Sequence, residues 1–429
     1  MERRQFIQST ALGTGLLAVN ERLSSAIAKP SPPETLNPDS VSRLERPVAL
    51  AMWDFSWILR HHRHGEFEDW DRVLDGLAER GYNAIRMDCM PQFVAADTDG
   101  VVHETFRSVK SSWKPSLWGN NASMTFNPRE ALLKFLPKCR ERGIKVGLST
   151  WFMAHGTGRE AIFNEEGGLL RAWQETLEFL DDNGLLDRIL YADVLNEYPL
   201  WHGEEWFKKN LNDRADVKKF SESNPDANIP NLDNADVSGR YNPLQLGFIN
   251  SYMEGVLGEL RSSWPQIDFF PSISHGMPPS DLDLTAYSAF DFHVWFVHHP
   301  GMNASGYSKI HSMANDNDFG AVYTAMKTYW KENRTEMISW MDSQLASISE
   351  QAASYGIPCG NTEGWGPIMW IDHPDLDWKW VKEAGEIGAD LAVKNGYKFI
   401  CTSNFTHPQF PGMWDDIAWH KRVTAAITS

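Results

Sequence analysis

A chain of 429 residues with 57 acidic against 40 basic side chains carries a formal charge of −17. Nucleic acid and anionic membrane surfaces are bound through concentrated positive charge, so this balance excludes both as expected partners. Past the N-terminus no stretch approaches the roughly 20 apolar residues of a bilayer-spanning helix, and the four cysteines contain no Cys-x-x-Cys spacing for a metal.

The chain opens on Glu2-Arg3-Arg4-Gln5-Phe6-Ile7, followed by an apolar run from Ala11 to Val19 and by Ala26-Ile27-Ala28. That is the pattern of a removable twin-arginine signal over residues 1–28, so the mature protein is expected in a bacterial periplasm or outside the cell. The proline-rich residues 29–47 read as a linker, which leaves 48–429 as one folded domain.

From Val48 onward short apolar runs alternate with stretches of helical period, the pattern of repeated β/α units. Val48–Trp53 is the first expected strand and Phe67–Arg80 its helix, with Trp70, Val73, Leu74 and Leu77 recurring on one face and Gly81 closing it. Asn83–Cys89 is the second strand and carries Arg86. A long polar and aromatic loop leads to Asn127-Pro128, residue types that start a helix over Arg129–Arg142. Ile144–Trp151 is the third strand, Gly168–Asp182 a helix, and Ile189–Glu197 the fourth strand, ending in Asn196-Glu197 before Pro199. Trp201–Tyr241, rich in Asn, Asp and Lys, reads as a loop lying over the strand ends. A helix from Asn242-Pro243 to about Ser263 precedes strands at Phe269–Ser274 and Phe290–Val297. Glu336–Tyr355 is a helix, Ile357–Glu363 the seventh strand, Leu376–Asn395 a helix, Tyr397–Ser403 the eighth strand and Met413–Ile427 the closing helix. Eight units of this kind predict the α/β class, as a (β/α)8 TIM barrel with long strand-end loops. Three of Cys89, Cys139, Cys359 and Cys401 fall in apolar strand-like runs, which favours buried thiols over a disulfide framework.

In a parallel barrel ligands sit at the carboxyl ends of the strands, and two glutamates fall there: Glu197 after Asn196, and Glu363 in Asn361-Thr362-Glu363-Gly364-Trp365. On these two places the chain resembles clan A of the glycoside hydrolases, retaining (β/α)8-barrel enzymes that include many cellulases and mannanases. The resemblance implies that Glu197 is the acid/base and Glu363 the nucleophile, with the carboxyl groups about 5 Å apart as retention requires. It implies that Arg86 holds the nucleophile ionised, that Asn196 donates to the sugar 2-hydroxyl, and that no cofactor takes part. His293 stands close to where the clan has a His or Tyr near the nucleophile, although Asp291-Phe292-His293-Val294-Trp295 departs from the usual order. The clan often has a tryptophan after the eighth strand, and Ser403-Asn404-Phe405 takes its place here.

Nineteen tryptophans exceed ordinary usage, and many follow strands. Aromatic faces pack on the C–H faces of sugar rings. Trp113, Trp118, Trp201 and Trp365 are therefore expected as subsite walls and Trp151 and Trp295 as further substrate contacts, which makes an oligosaccharide or polysaccharide the expected partner. Two other readings stay open. A barrel of this kind could bind glycan without cleaving it. A metal-dependent sugar isomerase or phosphatase barrel would draw ligands from His61, His62 and His64 or from His298 and His299, but Arg63 inside the first cluster is poor company for a cation, and no metal is expected.

Overall fold

The computed structural model describes residues 37, 39–110, 121–200, 205–224, 241–275, 277–305, 317–366 and 376–429. Eight parallel strand positions make the expected (β/α)8 barrel: Val48–Asp54, Ala84–Asp88, Lys145–Ser149, Ile189–Asp193, a fifth in two pieces, Phe290–His293, Cys359–Asn361 and Phe399–Cys401. Each pairs in parallel with its neighbour in sequence, and the first pairs with the eighth through Val48 to Leu50 against Phe399 to Cys401. The fifth strand is broken at Pro271 and Ser272. Phe269–Phe270 bonds to the fourth strand, while Ile273–Ser274 bonds to the sixth.

The strands are buried on both faces, so they read as continuous apolar runs rather than alternating ones. Inside the barrel the rings of Tyr191, Phe270 and Phe399 stack against one another at centroid distances of 4.9 to 5.8 Å. Two glycines make room for them. A Cβ on Gly147 would meet the Tyr191 ring at 2.2 Å, and one on Gly360 would meet the Phe399 ring at 2.2 Å.

The helices form where the apolar period places them. In Trp70–Glu79 the buried residues are Trp70, Val73, Leu74 and Leu77, and Asp69 caps the first turn by accepting from Arg72 N. Pro128–Glu141 is capped by Asn127, and Pro243–Ser263 by a reciprocal box between Asn242 and Gln245. Gly168–Asp182, Trp378–Lys394 and Ile417–Thr428 also lie on their predicted spans to within a few residues.

Four local expectations need correction. The segment read as a loop over Trp201–Tyr241 contains two helices, Glu205–Asn212 and Ala215–Ser223. Phe207 and Leu211 form a buried stripe there, and Phe207 packs on Phe248 and Tyr252 of the following helix at 5.0 and 5.4 Å. Within the loop after the second strand, Phe106–Ser108 pairs antiparallel with Met124–Phe126. The helix predicted from Glu336 begins at Asn317 and bends at Asn333. Lastly, residues 37 and 39–47 are not a free linker, while 29–36 and 38 lie outside the described residues. Asn37 donates to Ile189 O at 2.7 Å, and Asp39 lies 3.3 Å from Lys145 and 3.7 Å from Arg188, which ties this stretch to the starts of the third and fourth strands.

Candidate active site

The carboxyl ends of the strands converge on one buried guanidinium. Arg86, with no exposure, donates from Nη1 to Glu363 Oε1 at 2.9 Å and to Thr362 Oγ1 at 3.1 Å, and from Nη2 to Asn196 Oδ1. Its Nε lies 3.4 Å from Asp54 Oδ1, and Nη2 lies 3.9 Å from Asp193 Oδ2. Asp88, two residues on in the sequence, instead accepts from the backbone N–H groups of Met90 and Trp151. Arginine suits this place because its planar fork serves several acceptors at once.

Glu197 follows the fourth strand with φ 50, an unusual backbone for a non-glycine residue. The turn is held by its neighbours: Glu197 N donates to Ser272 Oγ at 3.0 Å, Tyr198 N donates to Ser272 O at 2.8 Å, and Ser272 Oγ and N both donate to Asp193. The two glutamates differ in access, with 12% of the Glu197 side chain exposed against 2% of Glu363. One oxygen of each carboxylate and one ring nitrogen of His293 all lie within 4.8 Å of one another.

His293 sits fully buried between them. Its Nδ1 is 3.1 Å from Glu197 Oε1, and its Nε2 is 3.2 Å from Thr362 Oγ1 and 3.6 Å from Asp291 Oδ2. Burial alone would push the ring down, but Glu363, Asp291 and the hydrogen bonds to Asp291 and Glu197 outweigh it and raise it to about 10. Both ring nitrogens face acceptors, Glu197 on one side and Thr362 and Asp291 on the other, which favours the protonated ring. Burial pushes the Glu363 carboxyl up to about 8, with Glu197 and Asp54 adding to the push and His293 and Arg86 opposing it. Burial likewise raises Asp54 and Asp193. Five carboxyls, Asp54, Asp193, Glu197, Asp291 and Glu363, face two cations, and all but Glu197 are buried. Such a cluster keeps at least one proton, and for Glu197 and Glu363 that proton belongs to the pair. Each carboxyl has its own cationic neighbour, Arg86 Nη1 at Glu363 and His293 Nδ1 at Glu197.

Asn196 is fully buried, and its Nδ2 is a donor without a hydrogen-bond partner among the described residues. Trp151 lies past the end of the third strand, half-buried, with its indole N–H donating to Asp54 Oδ2 at 3.0 Å. Trp365 is a correction. It has no exposed surface, its indole N–H donates to Cys401 O at 2.8 Å, and a Cβ on Gly388 of the helix behind would meet its ring at 2.3 Å, so it packs between the barrel wall and that helix. Trp295 is also buried, at 2% exposure, and offers no open ring face. Trp113, Trp118 and Trp201 lie outside the described residues. After the eighth strand the Phe405 ring turns to Trp378 and Phe410, at 5.1 and 5.0 Å, and gives the site no aromatic face.

The residues that sequence reasoning passed over are Asp54, Asp193, Asp291 and Thr362. A signal existed for the three aspartates, since a charged residue inside a buried apolar strand must be paired. All four cysteines are free and buried. Glu197, His293 and Glu363 have the spacing to hold a cation, but a guanidinium 2.9 Å from one carboxylate and a protonated ring work against it. His61 and His62 are occupied elsewhere: His61 stacks on Trp70 at 3.8 Å, and His62 pairs with Asn121 at 3.0 Å.

A family model described as sugar-binding cellulase-like matches residues 50–428. A protein from Parabacteroides distasonis, whose crystal structure carries a provisional glycoside hydrolase assignment, is 30% identical with a TM-score of 0.71, covering 90% of this chain and 94% of its own. Cellulose synthase subunit Z from Clostridioides difficile has a TM-score of 0.49 at 10% identity, covering 89% of this chain and 100% of its own. An endo-β-1,4-mannanase from Thermotoga petrophila has a TM-score of 0.49 at 10% identity, covering 91% of this chain and 78% of its own. No curated protein sequence matches the chain.

Proposed function

The chain belongs to the cellulase-like family and is a glycosidase, and from that premise we propose that it cleaves a β-glycosidic bond with retention through a covalent glycosyl-enzyme. The observation that carries this reading is the facing of Glu197 and Glu363, with an oxygen of each inside 4.8 Å. Retaining pairs stand about 5 to 5.5 Å apart, whereas inversion needs about 6.5 to 9.5 Å to seat a water.

In the first step a Glu363 oxygen attacks the anomeric carbon while the bond to the leaving oxygen breaks, and Glu197 gives its proton to that oxygen. In the second, Glu197 takes a proton from water as the water oxygen attacks the anomeric carbon and frees Glu363. Arg86 and His293 hold the nucleophile's charge. The free Nδ2 of Asn196 supplies a donor for the 2-hydroxyl, a contact that strengthens in the transition state. Trp151 supplies the ring face for the sugar.

The test is a panel of aryl β-glycosides and β-glucan, mannan and galactan oligosaccharides. On an active substrate Glu363→Ala is expected to abolish turnover, and Glu197→Ala to keep its first step best on good leaving groups and to yield β-glycosyl azide when azide is added. Near wild-type turnover by Glu363→Ala, or no azide product, would remove the assignment. Activity lost in EDTA and restored by a divalent cation would favour the metal-dependent alternative instead.

Export is part of the proposal, supported by Arg3-Arg4 and the apolar run behind it. Replacing both arginines with lysine should trap the precursor in the cytoplasm. Unchanged export would count against a twin-arginine route.

A further inference from the structure

Asp54 occupies a costly position that the reaction as described does not explain. It ends the first strand with φ 39, directly after the register slips between Met52 and Asp54 against the second strand, and its carboxyl is closed to solvent. A buried carboxylate on a left-handed backbone persists only where its partners hold it. Those partners are two. Oδ2 accepts from the Trp151 indole at 3.0 Å, and Oδ1 lies 3.4 Å from Arg86 Nε, whose Nη1 in turn donates to Glu363 at 2.9 Å.

The main chain of Trp151 is fixed separately, because its N–H donates to Asp88 Oδ2 at 2.9 Å. The bond from Asp54 is therefore free to act on the orientation of the ring. Among the described strand-end tryptophans this ring is half-buried, while those of Trp295 and Trp365 are closed. A counter-ion for Arg86 would need neither the left-handed turn nor the bond to Trp151, since Glu363 and Asp193 already flank that guanidinium.

We propose that Asp54 is a positioning residue that sets the Trp151 ring and, through Arg86, ties it to the Glu363 carboxylate. The proposal rests on the reading of the site given above. Ring occupancy and nucleophile charge then depend on one carboxylate, so a sugar seated on Trp151 acts on the same Arg86 that steadies Glu363. The charged and titratable groups that face Glu363 are Asp54 from the first strand, Arg86 from the second, Glu197 after the fourth, His293 from the sixth and Cys401 from the eighth; Tyr191 and Asp193 from the fourth face Arg86, and Asp291 from the sixth faces His293.

The experiment uses the full chain labelled with 15N in the tryptophan indoles, with the Trp151 signal identified by its loss in Trp151→Phe. In the wild type that signal should titrate in step with the carboxylate pair and move in Glu363→Gln, and in Asp54→Asn the titration should vanish. In kinetics, Trp151→Phe and Asp54→Ala should each raise KM about fivefold, the loss of one orienting hydrogen bond, and the double variant should be no worse than either alone. Asp54→Asn, which keeps an acceptor oxygen, should hold KM near wild type and shift the pH profile of kcat/KM to lower pH, because an anion facing the pair is gone. A Trp151 signal indifferent to pH and to Glu363→Gln, or KM effects that add in the double variant, overturns the proposal. Should Asp54→Ala fail to fold, Asp54→Asn and Trp151→Phe carry the test. If no glycoside is turned over, the functional reading fails while the indole signal still decides the coupling.

Discussion

Trp151 and Trp365 each follow a barrel strand, each donates an indole N–H at 3.0 Å or less, and they do opposite things. Trp151 leans on Asp54, inside the charged cluster, and keeps part of its ring open. Trp365 leans on Cys401 O and fills the gap between the wall and the helix carrying Gly388, with nothing exposed. The contrast separates two uses of an aromatic ring in one fold. A ring bonded to a carboxylate at the mouth can be aimed; a ring bonded to a strand carbonyl and pressed against a glycine is part of the wall.

The contrast breaks first under truncation. Trp365→Ala should cost about 3 to 5 kcal/mol of stability, as for other buried large-to-small changes, and lower Tm sharply. Trp151→Phe should cost no more than about 1 to 2 kcal/mol, the loss of one hydrogen bond to a buried group, and show its effect in KM instead. Equal thermal losses, read by scanning calorimetry on both proteins, would erase the distinction. A smaller effect sharpens it. Gly388→Ala puts a methyl where the Trp365 ring already lies, so a loss of about 1 to 3 kcal/mol is expected from overpacking. A neutral result would mean that the ring has room to move.

A separate test lies in pH. Glu363 is raised from 4.5 to about 8 and His293 from 6.5 to about 10. Both shifts mean that the folded chain binds more protons than the unfolded one, so stability falls as pH rises. The Glu363 part is present below 4.5 and is lost through 8; the His293 part is present below 6.5 and is lost through 10. Burial depresses His155, His298, His407 and His420, which act in the opposite sense below about 6.5, so the test runs from pH 7 to 10: denaturant midpoints should decline there, and Glu363→Gln should flatten the stretch below 8. A midpoint that climbs over that range would contradict the charge state assigned to the site.

The strand positions were readable because a buried parallel strand is a short apolar run, and Glu197 and Glu363 stood out as charges at the ends of such runs. The side of the wall that Trp365 takes was not readable. Past the last ladder bond the strand's alternation no longer fixes direction, and Gly388, which makes the pocket for the ring, lies on a helix the sequence does not connect to it. The cluster around Arg86 was half readable. Asp88, two residues on, is the nearest acid in sequence, but the guanidinium's partners come from the first, fourth and seventh strands, and only closure of the barrel brings them together. The helices at Glu205–Asn212 and Ala215–Ser223 were hidden by their polar composition, because their apolar stripe is narrow and gains its meaning from Phe248 and Tyr252 downstream.

The gap in the fifth strand has a consequence for partly folded chains. Ser272, in that gap, receives the N–H of Tyr198 and the N–H of Glu197, and it serves Asp193 as well. The same few residues join the fourth strand to the sixth, so the last stitch of the wall and the seating of Glu197 are one event. A chain in which this stretch has not docked lacks the Ser272 contacts that hold the Glu197 turn. Such a chain is inert by construction, and hydrolysis, once detected, would report a completed ring.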